Sequence, residues 1–234
     1  LIKLMNIDKT FIINLENRTD RKNKMINELK RVGITNYEFF KAIKPLEKEI
    51  KEWNINYLNP LPQWIIERGN IDPLKYKIGS LGCLKSHYEI IKMSYDNNYE
   101  NILILEDDIT FLFNENFHSL LTKLSPHINL IKDCFGLLYL SGNHLGGLIK
   151  QITPNISLIK GILSTGSYII NRKAMKMIID QLINYDREID VYYSNILHNN
   201  IHCFCFIPHL TKQNEDYSDI LNKKVRYSLK DTLH

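Results

Sequence analysis

The chain has 234 residues, a net charge of +4, 44% hydrophobic and 24% charged residues, a balance that excludes extended disorder and supports a core without covalent staples. Lysine outnumbers arginine and no dense basic stripe interleaved with aromatics occurs, which argues against nucleic-acid recognition through bidentate arginine contacts. Cys83, Cys134, Cys203 and Cys205 show neither paired zinc spacing nor disulfide density, and no bilayer-length apolar run or signal peptide is visible, so a reducing, cytoplasmic setting is expected.

Residues 10–15, TFIINL, form a short β-branched run expected as a buried strand. Asn17-Arg18-Thr19-Asp20 then supplies turn and capping chemistry, and Met25, Ile26, Leu29 and Val32 recur at helical spacing until Gly33. A second strand is expected near residues 37–40. From 44 to 77 the pattern is broken by Pro45, Pro60, Pro62 and Pro73 around Trp53 and Trp64, as in a functional or partly helical loop. A helix is expected over 80–95, with Leu84, Tyr88, Ile91 and Tyr95 on one face, then a strand over 101–105. Further strands are expected at 137–140, 166–170 and 203–207, with a helix over 173–183. Cys203 and Cys205 alternate in the last strand and read as small hydrophobes on one face. Strands alternating with helices give an α/β layered sheet. One domain over residues 1–234 is expected; because the chain opens at Leu1, it is also read as a possible piece of a longer protein.

Glu106, Asp107 and Asp108 close the apolar run NILIL. In an open α/β sheet ligands bind beyond the carboxyl ends of the strands. Three adjacent carboxylates repel one another beside a low-dielectric sheet, and a divalent cation removes that cost. Oxygen donors of this kind suit Mn2+ or Mg2+ bound together with substrate phosphates. A solvated acidic turn is the plain alternative. A phosphorelay receiver is excluded, because residues 145–165 contain no aspartate to accept the phosphoryl group.

The chain resembles glycosyltransferase family 25, which includes bacterial lipooligosaccharide galactosyltransferases and collagen-hydroxylysine galactosyltransferases. The resemblance rests on FIINLENRTDRKNKM (11–25), IGSLGCLKSHYEIIK (78–92), NILILEDD (101–108), TGSYIINRKAMKMII (165–179), REIDVYYS (187–194) and IPHLTKQNEDYSDI (207–220), in that order. Glu106-x-Asp108 stands where a strict Asp-x-Asp would be. The segment 44–77 and the stretch around 143–157 match nothing firmly. The resemblance implies a GT-A-like α/β fold, one nucleotide-sugar-binding domain with a mixed, mostly parallel sheet flanked by helices. It also implies a UDP-sugar donor and a glycan or collagen-like protein acceptor.

Resemblance and chemistry together suggest roles. Glu106 and Asp108 share one side of an extended segment and are the metal-side carboxylates, with His209 as a candidate nitrogen ligand or an ordinary hydrogen-bonded histidine. Asn14, Arg18, Arg21 and Asp107 are candidate donor contacts to base, phosphate and hydroxyls. Ser86 and His87 resemble the family's pair near the donor, with a structural histidine as the rival. Asp190 is the candidate base for an acceptor hydroxyl, or a helix-capping carboxylate. Gly166, Ser167 and Tyr192 are candidate acceptor contacts, and Glu215 and Asp216 a second acidic site or a solvated loop. A catalytically silent relative that binds glycans or a partner is the competing reading, and a metal-dependent phosphohydrolase a third.

Overall fold

The computed structural model describes residues 5–69, 71–143, 148–215, 217–221 and 223–224. The elements run β1 (Lys9–Asn14), α1 (Thr19–Arg31), β2 (Tyr37–Lys41), α2 (Glu47–Trp53), α3 (Gln63–Arg68), α4 (Pro73–Asp96), β3 (Asn101–Glu106), β4 (Ile109–Phe111), α5 (Phe117–Ile128) and β5 (Phe135–Tyr139). They continue with β6 (Leu148–Thr153), β7 (Ile156–Lys160), β8 (Ser167–Asn171), α6 (Arg172–Gln181), α7 (Ile189–Tyr192), a π-turn over Tyr193–Leu197, β9 (His202–Phe206) and β10 (Thr211–Gln213).

Eight strands make one sheet in the order β2-β1-β3-β8-β5-β9-β7-β6. β1 is parallel to both β2 and β3; β8 is antiparallel to β3 and β5; β9 is parallel to β5, and β7 antiparallel to β9 and β6. Six strands therefore share one direction, against β7 and β8, which is the mixed, mostly parallel sheet flanked by helices that the sequence implies.

The two-residue period of the strands sends alternate side chains to opposite cores. Phe11, Ile13, Ile102, Ile104, Tyr168 and Cys203 pack with Leu81, Leu84 and Ile91 of α4 and Met175 and Ile178 of α6. Ile12, Leu103, Leu105, Ile169 and Phe204 pack on the other face with Met25 and Leu29 of α1 and Leu121 of α5. Each such fully buried side chain stabilises by about 1.5–3 kcal/mol relative to exposure. Cys203 and Cys205 share the first of these cores, both fully buried.

The proline-broken segment holds two short helices, and α4 begins at Pro73, seven residues ahead of the expected start. Pro73 opens this helix because Asp72 caps it, accepting from the N–H groups of Leu74 at 2.9 Å and Lys75 at 3.2 Å. The β6–β7 hairpin and the β4–β10 pair were not anticipated; both are short or mixed in polarity and gain their stability from pairing. No helix among the described residues is long and apolar enough to cross a membrane.

Candidate donor and metal site

Parallel pairing sets the carboxyl ends of β1 and β3 side by side, with Ile13 in register with Glu106. On the other flank β8 runs the opposite way, so its beginning meets the triplet: the Glu106 N–H donates to Gly166 O at 2.8 Å. After the triplet the chain turns into β4, which pairs with β10, placing Gln213 opposite Ile109.

Glu106 and Asp108 turn toward the same neighbour. Gln213 Nε2 donates to Asp108 Oδ2 at 3.1 Å and approaches Glu106 Oε2 at 3.4 Å. Asp107 points elsewhere, accepting from Asn14 Nδ2 at 2.7 Å and from Arg21 Nη1 at 2.8 Å. Thr165 Oγ1 donates to Glu106 Oε1 at 2.9 Å. The triplet forms part of the wall of a cleft of about 530 Å³ that is also lined by Arg21, Lys44, Lys75, Cys83, His87 and Asp219.

The three carboxyls differ in charge state. Burial pushes Asp108 up to about 7, reinforced by the charge of Glu106, with Arg21 opposing. Burial also raises Asp107, against the pull of Arg21 and Asn14. Glu106 is lowered: burial works against ionisation, but His87, Thr165 and Arg21 outweigh it. Asp108 Oδ1 is buried and accepts no hydrogen bond among the described residues. A half-buried carboxylate pair with one buried, unsatisfied oxygen among the described residues is short of positive charge, so these residues fit a hard divalent cation.

The remaining candidates fall into three groups. Arg18 stands outside the cleft lining; its guanidinium pairs with Asp20 at 3.0 Å and with Asp219, whose side chain does line the cleft. Ser86 is fully buried, its Oγ donating to Gly82 O at 2.6 Å and accepting from the Ile43 N–H at 2.8 Å. It therefore fixes the 43–45 loop beside the cleft. Gly82 allows that loop to come close, since a Cβ there would lie 2.4 Å from Ile43 O. His87 is fully buried, its Nδ1 2.8 Å from Tyr168 OH and its Nε2 3.5 Å from Glu106 Oε1.

The second group lies outside the residues that line the cleft. His209 is buried but outside the cleft lining. Among the described residues the clustered ligand atoms are those of Cys83, His87 and Glu106 instead, all within 4.8 Å of one another. The register explains this: Gln213, four residues beyond His209, is the β10 side chain brought to the carboxylates. Glu215 is exposed, and Asp216 lies outside the described residues.

The third group belongs to the acceptor side. Asp190 lies in α7, half-buried and outside the cleft lining, its Oδ1 accepting from the Val191 N–H at 2.9 Å. Burial pushes its carboxyl up to about 6, helped by the charges of Glu188 and Glu106, while the Val191 N–H opposes. Tyr192 is 1% exposed, its ring 5.0 Å from that of Tyr185. It is a core residue with no face left to stack on a sugar. Ser167 is fully buried in a hydroxyl cluster with Ser141 and Thr211. A Cβ on Gly166 would lie 3.0 Å from Ile109 Cδ1, so the glycine serves close packing behind the triplet.

Gln213, Thr165, Asp219, Lys44 and Lys75 escaped the sequence reading. Gln213 and Asp219 stand in the matched segment 207–220 and Thr165 opens the matched segment 165–179; Lys44 and Lys75 are ordinary polar residues until the fold gathers them.

The family model described as glycosyltransferase family 25 (LPS biosynthesis protein) matches residues 7–145, more than half of the chain. A glycosyltransferase 25 family member of Aedes aegypti is 32% identical over 113 residues, covering 46% of this chain and 17% of that protein. Procollagen galactosyltransferase 2 of Homo sapiens is 31% identical over 140 residues, covering 58% of this chain and 21% of that protein. The alignments thus span about a fifth of these relatives or less. Among solved structures, UDP-glucose pyrophosphorylase complexed with UDP-glucose is similar with a TM-score of 0.45 and 8% identity, covering 89% of this chain and 92% of that one. The family match takes in β1, α1, the Gly82–His87 turn of α4 and the whole acidic triplet, and on that ground the chain belongs to glycosyltransferase family 25.

Proposed function

We propose that this chain transfers galactose or glucose from a UDP-sugar to a glycan or to hydroxylysine of a collagen-like protein, with inversion at the anomeric carbon and with Mn2+ or Mg2+. The observation that carries the reading is Asp108. It is a largely buried carboxyl raised to about 7 beside a second carboxylate, with one oxygen that accepts no hydrogen bond among the described residues, in a cleft that also presents Arg21, Lys44 and Lys75.

Glu106 and Asp108 would hold the cation, which when bound supplies Lewis-acid neutralisation of a departing diphosphate. Gln213 keeps these two carboxylates oriented. Asp107, fixed by Asn14 and Arg21, is left to accept from ribose or sugar hydroxyls. Arg21, Lys44 and Lys75 give the cleft the positive charge a diphosphate requires. In the transfer, the acceptor oxygen bonds to the anomeric carbon as the bond to the diphosphate breaks, and UDP leaves with the electron pair. Asp190 takes the acceptor's hydroxyl proton on Oδ2, since Oδ1 is engaged by the Val191 N–H.

The experiment is release of UDP from UDP-galactose and UDP-glucose with Mn2+, with and without chelator, against glycan and hydroxylysine acceptors. Turnover that stops with chelator is expected. Absence of turnover with any UDP-sugar overturns the proposal, and glycan binding without UDP-sugar binding would replace it with the silent-relative reading.

A further inference from the structure

Cys83, His87 and Glu106 have no shared task in the transfer just described, yet they converge on one point of the cleft wall. Cys83 and His87 are four residues apart on α4 and so lie on one face of the helix. Glu106 ends the strand packed beneath it. One ligand atom from each lies within 4.8 Å of the other two, and all three residues line the cleft.

The contact between His87 and Glu106 has an unusual length. Nε2 and Oε1 are 3.5 Å apart, and Nε2, fully buried, forms no hydrogen bond among the described residues. A charge-assisted N–H···O bond closes to about 2.7–2.9 Å. Two donors on one tetrahedral zinc ion, with Zn–N and Zn–O near 2.0–2.1 Å, are separated by about 3.3 Å. The observed gap matches the edge of a coordination tetrahedron better than it matches a hydrogen bond.

The histidine is also braced from behind. Tyr168 OH is 2.8 Å from Nδ1, and Tyr193 OH, from the π-turn, is 2.9 Å from Tyr168 OH. The Tyr168 and His87 rings are stacked with centroids 5.7 Å apart. A hydroxyl on the far ring nitrogen is the support that fixes a metal-binding imidazole and leaves its other nitrogen facing the ion. The donor set of thiolate, imidazole and carboxylate selects the zinc class over Mn2+ or Mg2+, which prefer oxygen alone. Opening into the cleft supplies a water for the fourth position.

The geometry points to a second cation site, formed by Cys83, His87 and Glu106, for a zinc-class divalent metal. Cys83 releases its thiol proton to solvent on binding. The site shares Glu106 with the hard-cation pair, so occupancy by zinc removes one of the two carboxylates that hold Mn2+. That antagonism rests on the proposed donor chemistry; the site itself does not.

Cobalt(II) is the probe. Titrated into the full chain, it is expected to give a near-ultraviolet thiolate-to-cobalt band that saturates at one equivalent and is bleached by zinc. Cys83→Ser should abolish the band without shifting the metal-free melting temperature, and His87→Gln should weaken cobalt binding at least tenfold. Cys134→Ser, which removes the exposed thiol, should leave the band intact. No band in the wild-type chain, a band that survives Cys83→Ser, or one lost with Cys134→Ser overturns the proposal. These readouts use no sugar donor, so a failed transfer assay and a failed cobalt titration are separable.

Discussion

Arg21 Nη1 lies 2.8 Å from Asp107 Oδ1 and 3.8 Å from Asp108 Oδ2, so one guanidinium from the first helix neutralises two members of a triplet 86 residues away. Both side chains of the closer pair are about nine-tenths buried. Removing Arg21 would leave clustered carboxylates in a low-dielectric wall without their main counter-charge. Arg21→Ala is expected to lower stability by about 3–5 kcal/mol, measured by urea denaturation. Mn2+ should restore part of the loss, because the cation replaces some of the missing charge.

Asp108 must lose its proton to bind a cation, and its carboxyl is raised to about 7 by burial and by Glu106. Mn2+ affinity should therefore weaken as pH falls through 7, approaching about tenfold per pH unit below it. Free-Mn2+ measurements by electron paramagnetic resonance across that range check this. Asp108→Asn should bind weakly at every pH and show a flattened dependence.

Asp190 is raised to about 6 by burial and by Glu188, and a base works only when deprotonated. With Mn2+ saturating at each pH, so that its weaker binding through Asp108 is offset, turnover should rise through pH 6 and level off above it. Asp190→Asn is expected to cut kcat by about 10²–10⁴-fold, with the KM for the UDP-sugar little changed. A comparable loss of donor binding would place Asp190 in the fold or the donor site instead.

His198 supplies a stability test far from the cleft chemistry. Its Nδ1 accepts from the Gly161 N–H at 3.1 Å and its Nε2 meets Tyr139 OH at 3.0 Å, so the buried ring is held neutral. Burial, with Lys160 nearby, lowers it to about 4 from 6.5. The unfolded chain thus takes up its proton first as pH drops. The contribution of this ring to stability is full above 6.5 and declines from there toward 4, by an amount on the order of 3 kcal/mol. The difference in urea stability between the wild-type chain and His198→Asn, taken at each pH so that the raised carboxyls of Asp108 and Asp190 cancel, should carry this slope; the asparagine oxygen can still accept from Gly161.

The parts of the molecule legible in sequence were those with a strong local signal. NILIL followed by three acids announced a buried strand and a carboxyl cluster at its end, and alternation placed Glu106 and Asp108 on one side, where both meet Gln213. Cys203 and Cys205 were readable by the same two-residue period. Pro73 misled, because a proline both stops and starts helices and Asp72 decides which. Tyr192 reads as an acceptor contact in sequence because an aromatic residue looks alike on a surface and in a core; its neighbours in space, Tyr185 and Gln181, settle its burial. Gln213 reaches the carboxylates only through the β4–β10 register. Long-range pairing of that kind leaves no local trace.

The reversed direction of β8 within the sheet has a practical consequence for altering this protein. Glu106 is braced by the loop that leads into β8, through Thr165 and Gly166, whereas the segment leaving that strand begins at the far edge with α6. Lengthening the chain ahead of Ser167 would disturb the triplet directly. An insertion in the exposed turn at residues 96–98, which leads into the start of β3 at the opposite rim, stays away from the triplet and is the better place to graft a tag or a foreign loop.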